Sequence, residues 1–307
     1  MPMATFSSIV KSEITNLGSI AENIAEISAI FNLAGFYDDH KIEVFTESAA
    51  IARHIYSLIK EVYKITPIVT IRKQGKQNLY ITSVYDSEFV IRKDLSLVDH
   101  NNMITYTPGE YIISDEETKR AYLKGVFLVK GSVNDPKTAR YHLEIAAEFK
   151  EQASFIKSLL NSFNLNSKVI KRTHNYTVYI KEAEKISDFL RIIKAHEAVM
   201  YYEDIRIYRD LKNMTNRLNN CDQANIEKTL SSSNSIINDI NYLQSIDCYS
   251  LLSEDVQVTG LYRVKYPESS LKELSMIITH ETNQALTKSG VNHRLRKIKE
   301  LSDKLRK

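Results

Sequence analysis

In residues 287–307 the apolar positions are Val291, Leu295, Ile298, Leu301 and Leu305, at spacings of 4, 3, 3 and 4. Those intervals put them in one stripe of an α-helix. Ser289, His293 and Arg296 fall on the opposite side, flanked by Asn292 and Lys297. Upstream, Ser270-Leu271-Lys272-Glu273 has the S-x-x-E form of a capping box, opening a helix with Leu271, Leu274, Ile277 and Ile278 on one side. The stretch THETNQAL, longer than a usual tight turn, then leads to Thr287 and Ser289, either of which can cap the last helix. Helical spacing begins at His196. Ile205, Tyr208, Leu211, Met214 and Leu218 mark a bridging helix that breaks at Asn219-Asn220-Cys221-Asp222, where Asp222 caps the next. Ile226, Leu230, Ile236, Ile240 and Leu243 form the stripe of that next helix, and the polar residues 231–234 predict a kink in it. Val258, Leu261 and Val264 predict one more helix, closed by Pro267.

The N-terminal two thirds mix both periodicities. Residues 5–17 read as a short helix with Phe6, Ile9, Val10, Ile14 and Leu17 on one side. Two nonapeptides, ISAIFNLAG at 27–35 and LKGVFLVKG at 123–131, stand 96 residues apart. Each is small at its third position (Ala29, Gly125), Phe at its fifth and Gly at its ninth. A small residue lets another helix backbone approach, and a terminal glycine supplies a left-handed helix end. KIEVFTES, AAIARHIYSLIKEVY, PIVTIRK, NLYITSVY and SEFVIRKDLSL follow the first. RYHLEIAAE, EQASFIKSLLNSF, SKVIKRT, YTVYIKE and KISDFLRIIKA follow the second, in the same order. Alternation in residues 69–72 and 176–180 supports strands there. The reading is α+β: a pseudo-two-fold repeat meeting through glycine-ended helices, with a saddle of antiparallel strands, then an all-α domain. The boundaries are 1–195 (half-repeats about 20–100 and 117–195), a helical linker 196–220, and a helical domain 221–307.

At 307 residues, with 43% apolar and 26% charged positions, the chain is long and apolar enough for two domains with ordinary cores. No run of 18 apolar residues occurs, the N-terminus lacks a signal-peptide pattern, and Cys221 and Cys248 are too few for a disulfide framework or zinc site. A cytoplasmic protein without a membrane span is the expectation.

Charge sharpens the picture. Within residues 287–307 eight cations oppose two carboxylates, a net +6 in a protein of net +3, so the rest of the chain is net −3. A cationic face is the footprint of a phosphate partner. Helix, connector and polar-faced second helix form a helix-turn-helix over about residues 269–305, whose last helix enters the major groove of double-stranded DNA. Ser289, Asn292, His293 and Arg296 are the expected base contacts, Asn pairing with adenine and Arg with guanine. Lys288, Arg294 and Lys297 are the expected phosphate contacts, with an internal ion pair as the alternative for Arg294 at the core edge.

SLKEL, KSGVNHRLRKI and the preceding RLNNCDQANIEKT resemble the C-terminal part of the WhiA family. The resemblance implies a bacterial DNA-binding regulator connected with cell division, chromosome segregation and, in sporulating relatives, sporulation. The N-terminal element order and nonapeptides resemble the LAGLIDADG homing-endonuclease fold over about residues 20–195, which the WhiA family is understood to carry. In such nucleases the eighth motif residue of each helix is a metal-binding acid; here those positions are Ala34 and Lys130. Alanine offers no ligand and an ammonium repels a cation. Asp38, Asp39 and Asp135 lie beyond the glycines, in apparent turns. No catalytic residue, metal or cofactor is therefore expected. On the saddle, Arg72, Lys73 and Lys76 correspond roughly to Lys168, Lys171 and Arg172, a possible secondary nucleic-acid surface or a surface for other proteins. The rivals are a nuclease or RNA-binding maturase-like protein, and an interaction module without a DNA role.

Overall fold

A computed structural model describes residues 5–75, 77–86, 88–138 and 140–306. The chain divides into two compact units, Met1–Arg209 and Asp210–Lys307.

In the first unit, α1 (Phe6–Glu13) precedes two copies of one topology. The first copy is α2 (Ile20–Ala34), β1 (Gly35–Tyr37), β2 (Lys41–Thr46), α3 (Ala49–Tyr63), β3 (Ile68–Gln74), β4 (Gln77–Tyr85) and α4 (Val90–Asp94). The second is α5 (Glu116–Lys130), β5 (Gly131–Val133), β6 (Leu143–Ala147), α6 (Lys150–Ser162), β7 (Lys168–Lys171), β8 (Tyr176–Ile180) and α7 (Ala183–Ile192). The sheets are antiparallel, ordered β1-β2-β4-β3 and β5-β6-β8-β7. The internal repeat is thus a repeat of architecture. Both long helices open on capping boxes, Ser19 with Glu22 and Asp115 with Thr118.

One apolar core joins the copies, and α2 and α5 lie side by side through it. Their contact is set by Gly125, where a Cβ would sit 2.5 Å from the Glu26 carbonyl oxygen and 3.0 Å from the Ala29 Cβ. At the same crossing the Glu26 carboxylate, 1% exposed, is held by His54 Nε2 at 2.7 Å and Lys124 Nζ at 2.9 Å. The terminal glycines depart from expectation. Gly35 (φ −74°, ψ 134°) and Gly131 (φ −85°, ψ 152°) are extended, each helix passing directly into a strand. Space rather than handedness demands glycine there: a Cβ at Gly131 would lie 2.2 Å from Phe127, and one at Gly35 2.5 Å from the Phe31 carbonyl oxygen. Two helices also differ from their sequence patterns. Ile9 and Leu17 are exposed although Phe6, Val10 and Ile14 are buried, and only five of the described residues of SEFVIRKDLSL are helical.

The second unit contains most of α8 (His196–Ser245), then α9 (Glu254–Lys265), α10 (Leu271–Thr282) and α11 (Lys288–Leu305). The expected break at residues 219–222 is absent, because α8 is continuous. Asparagine and aspartate only weaken a helix interior, and neither proline nor glycine interrupts the run. In α9 the buried face is Val256, Thr259, Gly260 and Arg263, while Leu261 and Val264 of the expected stripe are exposed. Gly260 explains the rotation: a Cβ there would approach Ile298 of α11 to 3.1 Å and Ile240 of α8 to 3.4 Å.

Gly125→Ala is expected to destabilise the protein by about 1–3 kcal/mol. The methyl gains about 1 kcal/mol of helix propensity but meets a backbone oxygen that no rotamer change can move. Urea unfolding of the full chain measures it, and a variant as stable as the parent would contradict the close crossing.

Candidate nucleic-acid interface

The helix-turn-helix is built from α9, α10 and α11. The Ser270 hydroxyl accepts from Glu273 N at 3.3 Å while the Glu273 carboxylate accepts from Ser270 N at 2.8 Å, completing the α10 capping box. α10 continues to Thr282 and ends on Asn283 in the left-handed conformation (φ 54°), so the connector is shorter than THETNQAL suggested. The Thr279 hydroxyl fastens it, accepting from Leu286 N at 3.0 Å. Thr287, not Ser289, caps α11, accepting from Gly290 N at 3.1 Å.

Val291, Leu295 and Ile298 of α11 are buried with Ile240 and Leu243 of α8, Val256 of α9, and Leu274 and Ile278 of α10. Ser302 donates to the buried Asp239 carboxylate at 2.8 Å and Arg306 pairs with it at 3.1 Å. This packing turns the other side of α11 outward. Lys288, Ser289, Asn292, His293, Arg296 and Lys297 are all exposed. Arg294 is not with them: it pairs with Asp255 at 3.2 Å and lies 3.4 Å from the Thr259 hydroxyl. The internal partner is therefore the geometry found for it. Arg296 is 74% exposed at its side chain and carries only an i,i+4 pair to Glu300 at 2.9 Å. Glu300 and Asp303 are exposed on the C-terminal half of the helix, so its N-terminal turns are the purely polar and cationic part.

The strand cations do not form one surface. Arg72 and Lys73 are consecutive in β3, so they project to opposite sides, as do Lys168 and Lys171 three positions apart in β7. Cross-strand partners sort them: Arg72 opposite Leu79 and Lys168 opposite Tyr179 share a face with Glu43 and Glu144. Glu43 pairs with Lys41 at 2.8 Å, and Glu144 with Arg172 at 3.4 Å and His142 at 3.2 Å. Lys76 lies outside the described residues.

Where the two repeat helices end, a cavity of about 690 Å³ is lined by Ala34, Lys130 and Lys11, with Glu47 and Glu148. The positions corresponding to the nuclease acids thus present a methyl group and an ammonium. Asp38 and Asp135 are turn formers: Asp38 Oδ1 accepts from His40 N and Lys41 N, both at 2.8 Å, and Asp135 Oδ1 from Lys137 N at 2.8 Å. Lys11 lies over the Phe127 ring, and burial pushes its pKa down to about 8.

Sequence reading did not single out Arg263 or Lys228. Arg263 completes the spacing Val256, Gly260, Arg263, a signal visible only if a cation is admitted to a buried stripe. Lys228 sits in a polar stretch of α8 with no periodicity to mark it.

Comparison with known proteins agrees with this architecture. Family models match as the WhiA N-terminal LAGLIDADG-like domain over residues 21–98, the WhiA LAGLIDADG-like domain over 119–212 and the WhiA C-terminal HTH domain over 215–302. A probable cell division protein WhiA of Lysinibacillus sphaericus is 38% identical, the match covering 99% of this chain and 98% of that one. One from Bacillus cytotoxicus is 40% identical over 98% and 97%. The crystal structure of full-length WhiA from Thermatoga maritima superposes with a TM-score of 0.60 at 26% identity, covering 98% of this chain and 99% of that chain.

The half-buried Lys11 has a pH signature. Its folded pKa is depressed, so between about 8 and the ordinary 10.5 the unfolded chain holds the extra proton and stability rises with pH. Lys11→Met is expected to stabilise the protein at pH 7 by about 1–3 kcal/mol and to flatten the rise across that window. Urea unfolding of both chains at pH 7 and pH 10 tests it; parallel curves would refute it.

Proposed function

The chain belongs to the WhiA family, and from that premise we propose that it is a non-enzymatic, sequence-specific DNA-binding regulator of bacterial cell division and chromosome segregation. It would act in the cytoplasm at the nucleoid. The observation that carries this reading is the outward face at the start of α11. Five hydrogen-bonding or cationic side chains, Ser289, Asn292, His293, Arg296 and Lys297, are exposed there on a helix whose other side is locked in the core. The face suits a major groove, with Asn292 and Arg296 offering the bidentate geometry that reads adenine and guanine. Lys288 and Lys297 flank them for phosphates. The pair between Arg294 and Asp255 supports the internal role for this residue, holding α11 to α9.

Absence of nuclease chemistry is part of the proposal, supported by Ala34 and Lys130 where hard oxygen ligands would be needed. For the sheets, the carboxylates of Glu43 and Glu144 favour a protein partner over a second duplex. Glu43 shares its face with exposed Ile68 and Phe36, and Glu144 with exposed Ile170.

Selection of bound fragments from random duplex DNA by the full chain tests the reading. Arg296→Ala should lose about 1–3 kcal/mol at one base position, whereas Lys297→Ala should weaken binding to every sequence alike. A protein that enriched no sequence, or whose binding ignored both substitutions, would overturn it.

A further inference from the structure

Beside the reading face lies a second cationic cluster. A cavity of about 420 Å³ opens between the middle of α8 and the first turns of α10 and α11. Its charged lining is Lys228, Arg263, Lys272 and Lys288, and no carboxylate lines it. Arg263 is the unusual member, since its residue is only 2% exposed. Its Nη1 donates to the Ser269 carbonyl at 2.7 Å and, more weakly, to the Tyr266 and Pro267 carbonyls and the Ser233 hydroxyl, each at 3.4 Å. Its Nε has no hydrogen-bond partner.

Holding the α9–α10 turn needs one nitrogen of that guanidinium and leaves the charge unbalanced. A buried cation is costly without a counter-ion, and burial already depresses the Arg263 pKa. Among the described residues no carboxylate pairs with it. Three lysines converge on the same space instead, and the first turns of α10 and α11, whose N–H groups have no intrahelical acceptors, border it. Such a site asks for an anion with several acceptor oxygens, which is a phosphate.

A neighbouring cavity of about 450 Å³ decides which phosphate. It is also lined by Lys228, together with Asn292, Arg296 and Lys299. One side chain therefore connects the cluster to the proposed base-reading residues. We propose that the Lys228–Arg263–Lys272–Lys288 cluster binds a backbone phosphodiester of the duplex read by α11, which makes the middle of α8 part of the DNA interface. This rests on the DNA-binding reading above.

The test uses the full chain and the duplex it selects, with affinity measured across a salt series. Lys228→Gln and Lys272→Gln are both on exposed residues, so the fold is not at stake. Each should make the slope of log affinity against log salt shallower by about 1, with the preferred sequence unchanged. Lys212→Gln, on α8 but outside the cavity, should leave the slope alone. If both slopes match the parent while Arg296→Ala still loses its base preference, the phosphate site is wrong and the reading of α11 stands. If inorganic phosphate raises the melting temperature of the parent but not of Lys228→Gln, and the slopes are unchanged, the site holds a free phosphate and the duplex assignment falls. A parent chain that binds no duplex at all overturns both proposals.

Discussion

The approach of two helix backbones at Gly125 is the constraint on which the first unit depends. With no side chain at that position, α5 can lie against the Glu26 carbonyl, and the helix that opens each repeat packs directly on its counterpart. The same residue supplies the electrostatics of the crossing, since the Glu26 carboxylate is closed off between His54 and Lys124. A carboxylate left alone there would cost several kcal/mol; with two partners it ties α2 to α3 and to α5. The helix ends then converge on one cavity. At the two motif positions that cavity presents Ala34 and Lys130, with Glu47 and Glu148 elsewhere in its lining.

In the second unit one helix is asked to be core and surface at once. The separation is clean because α11 is flanked on two sides. α9 takes Arg294 through Asp255, and α8 takes Ser302 and Arg306 through Asp239. Arg294 is drawn toward α9, while Arg306 keeps 46% of its side chain exposed. The exposed cations of α11 run from Lys288 through Arg296, Lys297 and Lys299 to Lys304, and Glu300 and Asp303 interrupt them only in the C-terminal half.

Much of this was legible in the chain. The repeat was visible because its packing demands small residues at fixed intervals, and the fold class followed from it, while the WhiA resemblance rested on SLKEL and KSGVNHRLRKI near the C-terminus. The face of α11 was legible because an amphipathic helix encodes its own orientation. The misreadings share one physical origin, which is that periodicity reports local preference while partners decide exposure. α8 ran on through Asn219 and Asn220 because nothing in them forbids a helix. The α9 stripe was turned because Gly260 offered a closer approach than Leu261 could. Gly35 and Gly131 were read as handedness devices when their neighbours simply leave no room. Arg72 and Lys73 were grouped by sequence although strand alternation separates them.

If α11 reads a groove as proposed, the i,i+4 pair between Arg296 and Glu300 bears on how Arg296 would engage a base. An exposed pair of this kind is worth only about 0.3–0.5 kcal/mol, so a guanine edge with two acceptors in line displaces the carboxylate at small cost. A base edge offering one acceptor, or a donor, gains too little to compensate for desolvating the guanidinium and leaving Glu300 facing the groove. Glu300 is in this sense a built-in competitor. On the proposed reading it is a weak competitor, lowering affinity for poorly matched bases by no more than about 0.3–0.5 kcal/mol, which is what the pair is worth.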